Sequence, residues 1–93
     1  MIVMIKSAPD TTEARRAITL AGDLAADLVL IQNAVYLART EKVSGIRGAV
    51  YALDEDLRMR GMGPEENISA VKRIDYDMLV DLITKTDQVY GAF

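Results

Sequence analysis

The chain has 93 residues, 51% of them hydrophobic and 27% charged, with a net charge of −3. That is the composition of one small globular domain, and it excludes disorder, collagen and a low-complexity array. There is no Cys and no His, which excludes disulfides, zinc sites of the usual kind, thiol nucleophiles, persulfide carriage and Ser-His or Cys-His dyads.

Met1–Lys6 predicts a strand, a short apolar run closed by Lys6-Ser7 and Pro9. The run is too short for a signal-peptide core and Lys6 follows it instead of preceding it, so a cytoplasmic location is expected. Asp10 is expected to cap a helix, with Glu13 three residues on as in a capping box. Ala14, Ala17, Ile18 and Ala21 recur at helical spacing and form one narrow apolar face, with Arg15 and Arg16 outside it. Gly22 suits the position after the helix end. Leu28–Ile31 is continuously apolar, as in a strand covered on both faces.

Asn33 is placed to cap a short helix over 34–39, and 41–48 reads as a loop. Ala49–Leu53 predicts a third strand. Asp54-Glu55-Asp56 then opens a very short helix with Arg58 and Arg60 in its last turn and Gly61 after it; acid first and base last complements the helix dipole. Gly61–Asn67 is turn-like. Ser69–Ile74 predicts a fourth strand, and Asp75 caps a helix from Tyr76 to about Lys85. Leu79, Leu82 and Ile83 form its apolar face, and Asp81 and Lys85 stand at ion-pair spacing. Gln88–Tyr90 predicts a last short strand. The alternation implies a single three-layer α/β domain over residues 1–93, flavodoxin-like, with about five mostly parallel strands and helices on both faces.

Ligands of open parallel sheets sit beyond the carboxyl ends of the strands. Those ends carry Lys6, Asn33, Asp54 and Asp56. One reading is a small polar site, holding a divalent ion through the carboxylates. The other makes Asn33 and Asp54 helix caps and Asp56 a partner of the helix dipole, with no ligand. No G-x-G-x-x-G or G-x-x-x-x-G-K-[ST] is present, so no nucleotide pocket is expected. Arg15, Arg16, Arg39, Arg58, Arg60 and Arg73 are interleaved with acids, which favours a solvated, ion-paired surface over direct RNA contact. Ser7 and Lys6 are adjacent on a strand and point to opposite faces, so they form no nucleophile pair.

Ala34–Ala38 is almost wholly apolar. A helix of that kind is buried in the core or faces another chain. A domain this small buries only about 60–65% of its unfolded surface, and self-association or a partner supplies what is missing. Tyr and Met favour interface cores. Asn33, Val35 and Tyr36, with Asp56, Met59 and Arg60, therefore make the candidate interface.

Val50-Tyr51-Ala52-Leu53-Asp54-Glu55-Asp56-Leu57-Arg58-Met59-Arg60-Gly61 resembles the VYAL-x-x-D-x-x-x-RG segment of the TusB/DsrH family of sulfur-relay proteins. Ile74-Asp75-Tyr76 with Leu79-Val80-Asp81-Leu82 resembles its IDY-x-x-F/L-V-x-L segment, and Leu30–Tyr36 is similar to its LLQ-D/N-G-V turn. Lys6-Ser7 with Pro9 echoes an N-terminal SP. Ala34 stands where that family usually has Gly, and Phe93 where it often has Trp. The resemblance implies a DsrE/DsrF/DsrH-like subunit acting in 2-thiolation of the tRNA wobble uridine or in related sulfur transfer. Its implied partners are Cys-bearing DsrE/DsrF-like (TusC/TusD-like) sister subunits, or further copies of itself. Some DsrH-type members carry a Cys in the first helix; the matching stretch here, 17–20, has none. A non-catalytic role follows, with no cofactor, no resident metal, no membrane and no direct tRNA contact. The competing expectation is a stand-alone small-ligand- or metal-binding α/β protein using Lys6, Asn33, Asp54 and Asp56.

Overall fold

Four short runs become strands of one sheet: β1 (Ile2–Ile5), β2 (Asp27–Leu30), β3 (Val50–Leu53) and β4 (Val71–Ile74); a two-residue β5 (Val89–Tyr90) joins one edge. A computed structural model describes residues 1–91, so Phe93 lies outside the described residues. The strand order is β4-β3-β2-β1-β5, and every neighbouring pair is parallel. Parallel pairs need crossovers. The segments between strands supply α1 (Thr12–Leu24), a 3₁₀ helix (Gln32–Arg39), α2 (Asp54–Met59) and α3 (Tyr76–Lys85). No helix among the described residues is long and apolar enough to cross a membrane.

Successive strand side chains point to opposite faces, and both sets are largely apolar. Val3, Ile5, Leu28, Leu30, Val50 and Ala52 face a core closed by α1, the 3₁₀ helix and α2. Ala14, Ala17 and Ala21 of α1 are fully buried there, their short side chains letting the helix lie close to the sheet. Ala34, Val35, Leu37 and Ala38 are buried in the same core. Ile2, Val29, Leu53 and Ile74 face the other way, onto Leu79 of α3. Since β5 pairs with β1, at the far side of the sheet from β4, the chain must cross the whole sheet after β4, and α3 makes that crossing.

Several local expectations need correction. Thr11, not Asp10, caps α1: its hydroxyl oxygen accepts the Ala14 N–H at 3.2 Å and its hydroxyl donates to the Ala8 carbonyl at 2.7 Å. That second bond closes the Pro9-Asp10 turn and leaves Asp10 outside the helix. Gly22 does not end α1, which runs on to Leu24 and closes at Ala25 with φ 51°. The Ala26 N–H reaches back to the Ala21 carbonyl at 3.0 Å, and Ala26 is buried in the core. Asn33 caps nothing; the 3₁₀ helix starts two residues before the expected 34, at Gln32, with no side-chain cap. Within 41–48, Glu41–Val43 forms a further 3₁₀ turn that buries Val43. Asp81 and Lys85 form no ion pair.

Candidate functional site at the carboxyl ends of the strands

The chain leaves β2 by an abrupt turn. The Ile31 N–H still bonds to the Ile5 carbonyl at 2.9 Å, but Gln32 adopts φ 50°. The left-handed region costs a side-chain-bearing residue roughly 1–2 kcal/mol. Here that conformation aims the Gln32 N–H away from the sheet and at α2, where Asp56 Oδ2 accepts it at 2.7 Å. Asp56 is the only buried charged residue among those described. It sits in the first turn of α2, where the helix dipole favours a carboxylate.

Arg60 ties the same corner from the other end of α2. Its Nη1 donates to the Asp56 carbonyl at 3.1 Å and lies 3.8 Å from Asp56 Oδ1. Its Nε and Nη2 donate to Asn33 Oδ1 at 3.3 and 3.0 Å. Asn33 and Arg60 are thus joined across the gap between the 3₁₀ helix and α2, and Asp56 holds the preceding residue of that 3₁₀ helix.

Asp54 belongs to a second cluster. Its Oδ2 pairs with Arg58 Nε at 2.7 Å and its Oδ1 with Arg73 Nε at 2.8 Å. Arg73 is mostly buried and also donates to the Met62 and Gly63 carbonyls, at 3.2 and 2.8 Å, pinning the loop after α2. Lys6 is exposed at the end of β1 and forms no ion pair with a described residue. No group of three His, Cys, Asp or Glu among the described residues is placed to hold a metal ion.

Of the candidate interface residues, Val35 is fully buried in the domain's own core and presents no surface to a partner. Met59 is 80% exposed. Tyr36 is half-buried, with the Arg39 guanidinium carbon 5.4 Å from its ring centroid, within cation–π range. The surface left at this corner is Tyr36, Met59 and the outer edge of the Asn33–Arg60 pair. Gln32 and Arg73 are the residues that sequence reasoning undervalued. Arg73 had a usable signal: strand alternation puts it on the same face as buried Val71, and a charge on a covered face needs a partner. Gln32 had none, because its role is carried by its backbone N–H.

A small all-parallel α/β domain, with an Asp–Arg latch binding the β2 exit to the helix after β3, is the class that these elements define. The DsrH-like protein family matches residues 6–89, and the chain belongs to that family, a sulfur-relay type. Among solved structures, YchN from E. coli superposes with a TM-score of 0.82 over 97% of both chains at 18% identity, a likeness of fold. Tm0979 from Thermotoga maritima superposes with a TM-score of 0.71 at 25% identity, over 95% of this chain and 97% of that one. No curated protein matches the chain significantly.

Proposed function

We propose that this protein is a non-catalytic subunit of a sulfur-relay complex, acting beside Cys-bearing DsrE/DsrF-like sister subunits in 2-thiolation of the tRNA wobble uridine or a related intracellular sulfur transfer. Membership of the DsrH-like family over residues 6–89 carries the reading. The latch supports it: Asp56 and Arg60 of one family-like segment are bonded to Gln32 and Asn33 of another. The 93 residues contain no Cys, so they hold no thiol for a persulfide, and the sulfur-bearing group belongs to a partner. The corner of Tyr36, Met59 and Arg60 is the contact surface in this reading. Asp54 and Asp56 are each committed to partners of this chain, which gives the metal-binding alternative no support.

The test is a native pull-down of the tagged protein from its own cells, with mass spectrometry of what co-elutes. Stoichiometric small Cys-bearing α/β chains are expected. Elution without such chains would refute the heteromeric-subunit reading.

A further inference from the structure

The cations of this chain divide by what they touch. Arg58, Arg60 and Arg73 all pair with Asp54 or Asp56. Arg15, Arg16 and Lys42 are exposed and form no ion pair with a described residue, although the chain carries 14 acids to 11 bases. Arg15 from α1 and Lys42 from the 3₁₀ turn Glu41–Val43 line one depression of about 310 Å³. Pro9 and Ile18 give it an apolar floor, and Thr19 completes it. The side chain of Arg15 makes a single bond among the described residues, a long one of 3.4 Å to the Asp10 carbonyl, so its guanidinium is available. Arg15 and Thr19 are shared with a second depression of about 380 Å³, to which Thr12, Arg16, Leu20 and Asp23 also contribute. Positions 12, 15, 16, 19 and 23 recur at the spacing of one helix face, so the two depressions are neighbours along the outer surface of α1.

Charge, shape and floor together select an occupant. The first depression holds two cations and no acid; Asp10, Glu13 and Glu41, close to it in sequence, line neither depression. Complementarity then calls for an anionic group. A small-molecule site buries about 70–90% of its ligand, which an open depression on the outside of a helix cannot do. The anion is therefore carried by a segment of a larger molecule lying across α1. Single-stranded nucleic acid is bound by aromatic platforms beside cations, and duplexes by a broad cationic footprint. Neither depression has an aromatic residue, and Asp23 would repel a phosphate chain running on into the second. An acidic peptide meets every condition. One carboxylate takes the Arg15 guanidinium, whose planar fork suits it, a second lies against Lys42, and an apolar side chain between them rests on Pro9 and Ile18. We infer that the groove between α1 and the Glu41–Val43 turn docks an acidic, apolar-interrupted peptide segment of a partner protein. This adds a second contact surface to the proposed subunit role, apart from the corner of Tyr36 and Met59, and it rests on the groove alone.

The experiment titrates the isotope-labelled full chain and follows its backbone amides by NMR. The probes are an acetylated peptide of alternating Glu and Leu, the same peptide with Gln for Glu, and oligouridylate. The Glu peptide is expected to shift amides of 9–20 and 41–43, with an affinity that falls as salt is raised. Arg15→Glu and Lys42→Glu are each expected to weaken it about tenfold, since a like charge then faces the peptide. Both side chains are exposed, and an acid in the first turns of α1 suits the helix dipole, so the variants keep the fold. Lys72→Glu makes the same change of charge on the opposite face of the sheet and is expected to bind as the wild type does. No shift with the Glu peptide, equal binding of the Gln peptide, or an equal loss in Lys72→Glu would each overturn the inference. So would oligouridylate shifting the same amides at a lower concentration than the peptide, which would make the groove a nucleic-acid site. None of these results bears on whether Cys-bearing chains co-elute from cells.

Discussion

Asp56→Ala removes the centre of the latch, and the structure sets the cost. The Gln32 N–H loses a carboxylate acceptor at 2.7 Å; a hydrogen bond to a charged group contributes about 1.5–3 kcal/mol. Arg60 keeps the Asp56 carbonyl and Asn33 Oδ1, so its lost ion pair at 3.8 Å adds only about 0.5 kcal/mol. The expected loss is about 2–3.5 kcal/mol, a large share of the 5–15 kcal/mol that typically holds a domain together. In a domain of this size that lowers Tm by about 8–28 °C. Urea unfolding followed by far-UV circular dichroism measures it, with an unchanged m-value showing that the loss is one of stability. Asp56→Asn retains an acceptor oxygen and is expected to lose about half as much. If Asp56→Ala costs under about 0.5 kcal/mol, the level of a neutral surface change, the latch does not hold the β2 exit and the reasoning fails.

Other perturbations test separate parts of the structure. A Cβ at Gly48 would lie 2.5 Å from the Ala26 carbonyl oxygen and 2.6 Å from Asp27 Oδ1, so Gly48→Ala is expected to cost about 1–3 kcal/mol; Gly45→Ala, opening on empty space, should change thermal stability little. Arg73→Lys cannot bond Asp54 and two loop carbonyls at once, so cleavage at Glu65 and Glu66 by a Glu-specific protease should accelerate severalfold, and an unchanged rate would refute that role. Tyr36→Asp and Arg60→Glu should each reduce recovery of co-eluting chains without unfolding the domain, as read by pull-down alongside circular dichroism.

Much of the architecture follows from patterns visible in the sequence. The apolar runs at 2–5, 28–30 and 50–53 lie on β1, β2 and β3, β4 falls within the predicted Ser69–Ile74, and Asp75 caps α3 as expected, accepting the Met78 N–H at 2.8 Å. What was not legible depends on contacts between segments. Thr11 wins the cap from Asp10 because a turn hydrogen bond to Ala8 fixes where the helix starts. Ala34–Ala38 is apolar enough for either a core or an interface, and only the packing of Val35 and Leu37 beneath the sheet decides for the core. The strand order leaves one sheet face to a single helix, which no local pattern reveals.

The acidic segment Asp54-Glu55-Asp56 shows why a ligand and a latch look alike in sequence. Acids two apart on a helix are rotated by about 200° from one another, so Asp54 and Asp56 face nearly opposite sides and do not converge on one ion. One turns to Arg73 and Arg58, the other to the Gln32 N–H and Arg60. Each carboxylate fixes a different piece of chain to α2: the loop after it in one case, the exit from β2 in the other. With both acids occupied in this way, α2 is a strut, and outward it offers Glu55, Arg58, Met59 and the edge of Arg60. A strut of this kind suits the subunit role proposed above.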